Sequence, residues 1–250
     1  RRAAAPDLGG QNRPHRRHRR GIAKDADLSL EFLKTRGIPV PQRSRVTSPD
    51  EAWEEAGDIG LPVRVLPTWH DVGDAGVLVS TRGEMDAAFE EHCGRRRAVM
   101  LEQVMVEADI YRLLVVSGKM LAASRMDGGP HSSRTQFVSA DVTDIIHPET
   151  AHAACVAAAI GGLDIAGVDV VLKDPEKPLD GGNGFITGLR SGPGLIAHTH
   201  PATGEERPVV PAIVDSMFRD GDDGRIPVVG ISGSHGTTEV ARLTAEFLRL

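Results

Sequence analysis

The order of apolar and polar residues along the chain predicts helices at several places. Residues 25–36 have an apolar side at helical spacing and are followed by Gly37, a typical helix stop. Ser48 precedes a proline and two acidic residues, which is the pattern of a helix start, and this second helix is expected to end at Gly57 or Gly60. Further helices are predicted at 82–93, 148–161 and 208–218.

Short apolar runs between these helices predict strands. They cover residues 61–66, 77–80, 98–105, 110–126, 165–172 and 185–187. The run from 110 to 126 is long enough for a hairpin, with its turn at Ser117 and Gly118. Strands and helices alternate throughout, so the fold class is expected to be α/β or α+β.

Composition narrows the functional classes. Hydrophobic residues make up 40% of the 250-residue chain and charged residues 26%, as in an ordinary globular protein. No apolar run approaches the roughly 20 residues that span a bilayer, so no membrane role is expected. A net charge of −6 makes nucleic-acid binding an unfavoured function. Cys93 and Cys155 lack metal-site spacing, which favours a reducing, cytoplasmic location.

The two ends of the chain differ from its middle. Residues 1–20 are rich in arginine and have no hydrophobic periodicity, so we expect a disordered basic tail, either an anion-binding arm or sequence out of its context. Residues 219–224 resemble a linker. The strand-like run 226–231, a glycine-rich turn and an amphipathic helix follow.

Four segments, in order, resemble the cyanophycin synthetase family. They are ADIYRLLVVSGKMLAASR, DVTDIIHPETAHAACVAAAIGGLDIAGVDVV, SGPGLIAHTHP and GRIPVVGISGSHGTT, within a match that covers nearly all of residues 22–250. The resemblance implies an ATP-grasp-like body, with its first lobes in 21–125 and its C-terminal part, shortened by an internal deletion, in 126–218. Residues 219–250 would then be a linker and the strand, P-loop-like turn and helix that begin a Mur-ligase-like domain.

The resemblance also implies a reaction. The family makes a polymer with an aspartate backbone and arginine side groups, using ATP and Mg²⁺. Its ATP-grasp domain phosphorylates the terminal carboxylate of the polymer, and an incoming aspartate attacks the acyl phosphate. The implied partners are ATP and an amino-acid or peptide polymer, and a homo-oligomer is compatible with this activity.

The resemblance assigns roles to five residues. Glu102 would lie at the hinge beside the adenine, although a glutamate at a strand end is commonly a solvated edge residue. Asp109 would contribute to nucleotide binding. Arg112 would hold phosphate or carboxylate oxygens in the catalytic centre, or would pair with an aspartate to pin one strand to its neighbour. Asp169 would be a magnesium ligand, and His198 would lie near the acceptor substrate or be a plain loop histidine.

Several positions depart from the family pattern on the phosphate side. Leu66 occupies the place of a phosphate-binding lysine. Of the glycine-rich phosphate loop, Gly73 and Gly76 remain, and Asp74 replaces a basic residue. A metal-binding Glu-x-Asn is replaced by 188–190, Gly-Leu-Arg, which loses two oxygen ligands and gains a cation.

The second phosphate loop departs in the same way. Gly233 and Gly236 still permit a turn whose backbone amides face an anion, but the lysine of the family motif is absent. Three hypotheses remain open: an active ligase of unusual geometry, a non-catalytic relative or decayed fragment, and an anion-binding module that uses the basic tail. The repeated losses favour the second.

Overall fold

The computed structural model describes residues 26–68, 76–93, 97–127, 138–218, 225 and 228–248. These residues fall into two units, one ending at Ser216 and the other beginning at Met217. The predicted basic tail, the linker at 219–224 and Gly73 lie outside the described residues. No helix among the described residues is long and apolar enough to cross a membrane.

The first sheet has four antiparallel strands in the order β1-β4-β2-β3. Its strands are β1 (Arg43–Val46), β2 (Val63–Pro67), β3 (Val77–Val79) and β4 (Val99–Gln103). Helices α2 (Pro49–Ile59) and α3 (Arg82–His92) bury their apolar sides against one face of this sheet. Alternate strand residues, such as Val63, Val65 and Leu101, form the shared core. Arg64, Leu66 and Glu102, which alternate with these residues, therefore lie on the other face of the sheet.

Both helices begin at side-chain caps, of which the sequence analysis predicted the one at Ser48. The Ser48 hydroxyl accepts a hydrogen bond from the amide of Glu51, which satisfies one of the unpaired donors at the start of α2. Thr81 and Glu84 form a capping box at the start of α3. The prediction of a helix that starts at Ser48 is confirmed, and it ends at Ile59.

The second sheet has five antiparallel strands in the order β7-β6-β5-β8-β9. Its strands are β5 (Asp109–Val116), β6 (Lys119–Asp127), β7 (Val138–Asp141), β8 (Ile165–Leu172) and β9 (Gly184–Arg190). Helices α1 (Ala26–Thr35) and α4 (Pro148–Ile160) cover one face, where Leu33, Leu113, Ala157 and Val168 share the largest core. The predicted hairpin at Ser117–Gly118 is confirmed.

The opposite face of the second sheet is partly covered by the segment that follows β9. This segment includes the short helices α5 (Ile196–Thr199) and α6 (Val209–Asp215), and Val209 packs against Leu114, Val116 and Ala122. Residues that alternate with the main core, including Arg112 and Asp169, therefore lie on this face. The fold thus places the predicted site residues Arg112, Asp169 and His198 on one side of one sheet.

In the second unit, the predicted helix is present and the predicted strand is not. Helix α7 (Thr237–Phe247) begins after Gly236, whose left-handed backbone (φ 74°) makes the turn into the helix. Residues 228–236 form no strand, so the strand predicted over 226–231 is wrong for 228–231. Val228 and Val229 are 84% and 58% exposed, so the described part of this run is not the buried core strand of the prediction.

Candidate functional site

A row of polar residues crosses four neighbouring strands on the α5 side of the second sheet. The strand register sets Asp141 opposite Ser124, Ser124 opposite Arg112, and Arg112 opposite Asp169. We call these four residues the polar row. Its register depends on contacts between residues far apart in sequence, and only β8 taken alone shows a single polar residue, Asp169, in an apolar run.

Asp169 is held by two arginines. It is 6% exposed, and Arg112 donates to both carboxylate oxygens, from Nε to Oδ1 at 2.8 Å and from Nη2 to Oδ2 at 3.3 Å. Arg190, at the end of β9, donates from Nε to Oδ2 at 2.6 Å. We call Arg112, Asp169 and Arg190 the arginine–aspartate cluster. The cross-strand Arg–Asp pair that was one interpretation of Arg112 is present, with a second arginine added to it.

This arrangement does not fit the implied magnesium ion. A Mg²⁺ ion needs several oxygen ligands around it, whereas the Asp169 carboxylate has the guanidinium groups of Arg112 and Arg190 beside both of its oxygens. The charge of Arg190 would also repel a divalent cation. Across the part of the chain that the structure describes, no group of three or more His, Cys, Asp or Glu side chains could hold a metal ion.

His198 lies in α5 and is buried at 1% exposure, which corrects the alternative that it is a plain loop histidine. Its Nδ1 is 2.8 Å from the Ser124 hydroxyl, so the imidazole packs directly on the polar row. Burial and, to a smaller extent, the nearby Arg112 charge lower the pKa of His198 to about 4, while Asp141 opposes the shift. The ring is thus neutral at ordinary pH, and its buried Nε2 has no hydrogen-bond partner among the described residues.

Asp141 anchors the segment that carries His198. The guanidinium of Arg207 donates to Asp141 Oδ2 from Nε at 3.0 Å and from Nη2 at 2.6 Å, and it also contacts Asp144. Burial alone would raise the pKa of Asp141, but the hydrogen bonds from Arg207 and Thr143 lower it overall. The pairing fixes the chain after α5 against β7. No signal in the sequence singled out this pair.

Glu102 lies inside the first sheet. It is 5% exposed in β4 and directly faces Arg43 of β1 and Arg64 of β2. Arg64 donates to its Oε1 at 3.1 Å, and Arg43 Nε lies 3.3 Å from its Oε2. The interpretation of Glu102 as a solvated edge residue is therefore wrong. The acid of the central strand is neutralised from both neighbouring strands, as Asp169 is in the second sheet.

Asp109 and Arg112 do not lie together. Asp109 starts β5, is exposed, and has Arg125 at 3.8 Å as an ion-pair partner. It is three residues from Arg112, and an odd spacing along a strand puts the two side chains on opposite faces. Asp109 is thus outside the polar row. Its predicted part in nucleotide binding stays a prediction.

The retained glycine Gly76 has a structural reason to be a glycine. Its φ is +58°, and a Cβ built there would lie 2.6 Å from Leu66 Cδ2 and 2.7 Å from the Val65 carbonyl oxygen. Leu66, at the place of the family lysine, is itself buried at 2% exposure. Gly76 therefore packs tightly on β2 beside Leu66, where the family pattern would place a cation.

A cavity of about 390 Å³ lies at the connection between the two sheets. It is lined by Gln103, Val104, Met105, Val106, Glu107 and Lys173. Five of these residues, 103–107, are consecutive in the chain, so one segment forms most of the cavity wall. Lys173 completes the lining. Glu102, the residue predicted at the hinge beside the adenine, is not among the lining residues, which begin one position later at Gln103.

In the second unit, Gly233 and Gly236 bracket the turn before α7. Gly236 has the left-handed backbone that favours glycine, and a Cβ on Gly233 would meet the Thr237 methyl group at only 3.6 Å, an ordinary contact. The turn itself is explained by Gly236. Anion binding by these amides stays a prediction.

Comparison with known proteins gives a consistent result for sequence and for fold, although no protein-family model matches the chain. The cyanophycin synthetase of Crocosphaera subtropica is 41% identical over 299 residues, covering 91% of this chain and 34% of that protein. A protein described as a probable alpha-L-glutamate ligase, from Aliivibrio fischeri, is 28% identical over 190 residues, covering 74% of this chain and 60% of the relative.

Solved structures give the fold. The bifunctional glutathione synthetase of Pasteurella multocida superposes with a TM-score of 0.60 at 18% identity, covering 80% of this chain and 37% of that one. The ATP-grasp ligase PsnB, solved with a minimal precursor, Mg and ADP, has a TM-score of 0.58 at 15% identity, covering 80% and 60%. The chain is an ATP-grasp protein related to the cyanophycin synthetases. It spans about a third of the length of the cyanophycin synthetases that it matches.

Proposed function

We propose that this chain is the ATP-grasp body of a cyanophycin synthetase relative that does not carry out metal-dependent ligation by itself. Its relatives are ligases that join amino acids, and its fold is theirs. At positions where the family pattern has phosphate- and metal-binding residues, however, this chain has Leu66 and, at 188–190, Gly-Leu-Arg. In this proposal the chain keeps a binding role. It no longer forms an acyl phosphate on a polymer carboxylate.

The observation that carries this proposal is the bonding of Asp169. In ATP-grasp chemistry the protein forms no covalent bond to the substrate, and catalysis depends on positioning the phosphates and neutralising their charge. A carboxylate whose two oxygens accept from Arg112 and Arg190 already has two cations beside it, and these would repel a divalent metal ion. What these residues do is hold each other across three strands.

The residue at the lysine position supports the same conclusion. Leu66 has no charge to offer a phosphate, and its neighbour on the same face, Arg64, donates to Glu102. A charge-assisted hydrogen bond is worth about 1.5–3 kcal/mol, so losing one lowers affinity more than about tenfold. The cavity beside residues 103–107 could still take a flat group such as a base, since Val104, Met105 and Val106 supply apolar side chains and the backbone supplies hydrogen-bonding groups.

Calorimetry with ATP and magnesium, followed by a ligation assay with aspartate, arginine and a polymer primer, tests the proposal. We expect no binding in the micromolar range and no polymer formation by the unaltered chain. The triple variant Leu66→Lys, Gly188→Glu, Arg190→Asn restores the residue types of the family pattern and is expected to bind ATP at least about tenfold more tightly. Micromolar ATP binding with ligation by the unaltered chain would show the proposal to be wrong.

A further inference from the structure

The arginine–aspartate cluster has hydrogen-bond donors left over after its internal bonds are made. Arg190 uses only Nε on Asp169, and within the described residues no contact uses its Nη1 and Nη2. Its side chain is 29% exposed, whereas those of Arg112 and Asp169 are 15% and 8% exposed. Arg190 is therefore the most accessible side chain of the cluster.

The cluster also has an uncompensated charge. Two guanidinium groups face one carboxylate, which leaves one net positive charge. His198 does not change this count because its lowered pKa, about 4, keeps the ring neutral. Asp141, the next acid along the polar row, is already paired with Arg207. A net positive charge with planar, outward-facing N–H donors suits an oxyanion.

We propose that Arg190 acts as a fixed cation beside Asp169, and that the cluster binds an oxyanion, a phosphate or a carboxylate, without a divalent metal. Asp169 and Arg112 orient the guanidinium of Arg190, since Asp169 accepts from both arginines at 2.6–3.3 Å. The terminal nitrogens of Arg190 then contact the ligand. The buried Nε2 of His198, next to Arg112, is a further polar atom without a partner in the described part of the chain.

Binding of inorganic phosphate, which complexes magnesium only weakly, to the full chain, measured by calorimetry in excess EDTA and again with magnesium chloride, tests this inference. We expect saturable binding in the millimolar range, with the same dissociation constant under both conditions to within about twofold. Succinate in a parallel titration distinguishes a phosphate site from a carboxylate site. Both measurements use the unaltered protein, so they do not depend on how a variant folds.

Two variants then locate the site. Arg190→Gln removes the outward-facing charge and is expected to weaken binding of the preferred anion about tenfold or more. Arg82→Gln is the matched control, because Arg82 pairs with Asp50 and Asp86 at the surface of helices α2 and α3, and it should leave the affinity unchanged. Binding that requires magnesium, equal affinity in the Arg190→Gln variant, or no saturable binding of either anion would overturn the inference. Ligation is assayed separately, so this result and that of the proposed function can be told apart.

Discussion

At the scale of single residues, the buried imidazole of His198 makes stability depend on pH. Its pKa in the folded protein is about 4, against an ordinary value of 6.5. Between these values the unfolded chain binds more protons than the folded one, so stability is complete above about pH 6.5 and is lost as pH falls toward 4. At about pH 5 this contribution amounts to a loss of about 2 kcal/mol relative to neutral pH.

The variant His198→Gln tests this, because an amide keeps a polar partner for Ser124 and does not titrate. We expect the variant to lose less stability than the unaltered protein between about pH 7.5 and pH 5, by about 2 kcal/mol, in urea unfolding at each pH. His200→Gln, at an exposed histidine two residues further on, is the control and should keep the original pH dependence. An identical pH dependence in the His198→Gln variant would contradict the assignment of a neutral, buried ring.

Asp169 leads to a second residue-scale prediction. Replacing it with Asn keeps the shape of the side chain but leaves two guanidinium groups facing each other without an anion, which we expect to cost about 3–5 kcal/mol in the free energy of unfolding. Asp50→Asn removes an acid that pairs with Arg82 at the surface, and its effect should stay within about 1 kcal/mol. Equal effects of the two variants on chemical unfolding would mean that the cluster does not contribute more than a surface ion pair.

At the scale of helices and strands, the packing of Gly76 on β2 gives a structural reason for a glycine at this position, and this reason can be tested. Gly76→Ala brings a methyl group within 2.7 Å of the Val65 carbonyl oxygen and also strains a left-handed backbone. Gly37→Ala strains a similar backbone, φ +75°, but meets nothing within 4 Å. We therefore expect Gly37→Ala to cost about 1 kcal/mol and Gly76→Ala about 1–3 kcal/mol more in thermal or urea unfolding. Similar losses in both variants would argue against the tight packing on β2.

Sequence reasoning predicted the elements whose causes are local and missed those whose causes are distant. The cap at Ser48 and the hairpin at Ser117–Gly118 depend on neighbouring residues, so both could be predicted. Strand β1 reads only as an extended stretch because Arg-Ser-Arg-Val has no apolar alternation, and it is a strand through its pairing with β4. Strand β7 was missed for the same reason, since its partner β6 supplies the register.

The candidate site follows the same division. The resemblance pointed to Arg112, Asp169 and His198, and the sequence also marked Arg190 as a cation where the family has a metal ligand. The bonds among them could not be predicted, because Arg112 and Asp169 are 57 positions apart and meet only through strand register. The pairing of β8 with β9, which brings Arg190 to the Asp169 carboxylate, also contains a register irregularity between Asp169 and Val170. Such shifts leave no mark in a local apolar pattern.

At the scale of the whole molecule, the chain is a shortened version of the part of its relatives that it matches. The match to the Synechocystis cyanophycin synthetase runs over 300 positions, whereas 91% of this chain is about 228 residues. About 70 positions of the alignment therefore have no counterpart here. The described strands and helices of the two sheets nevertheless bury two apolar clusters between them.

The second unit is the part of the molecule with the least burial to stabilise it. Helix α7 has 11 residues, none of them buried, and Val240, Leu243 and Phe247 on its apolar side are 49–75% exposed. An isolated helix of this length is marginal in water, because nucleation is costly and only packing normally offsets it. The strands β5 and β8, by contrast, pair along their full length within the main core.

Hydrogen exchange at single-residue resolution tests this contrast. We expect the amides of 240–247 to exchange within about tenfold of the rate of an unfolded chain, since local opening there costs little free energy. The amides of β5 and β8 should exchange several orders of magnitude more slowly, because their opening requires disruption of the second sheet. The comparison is internal to one sample, so solvent and temperature affect both regions alike. Strong protection of α7 in a monomeric sample would contradict its exposure, and a further increase on adding ATP would contradict the absence of nucleotide binding as well.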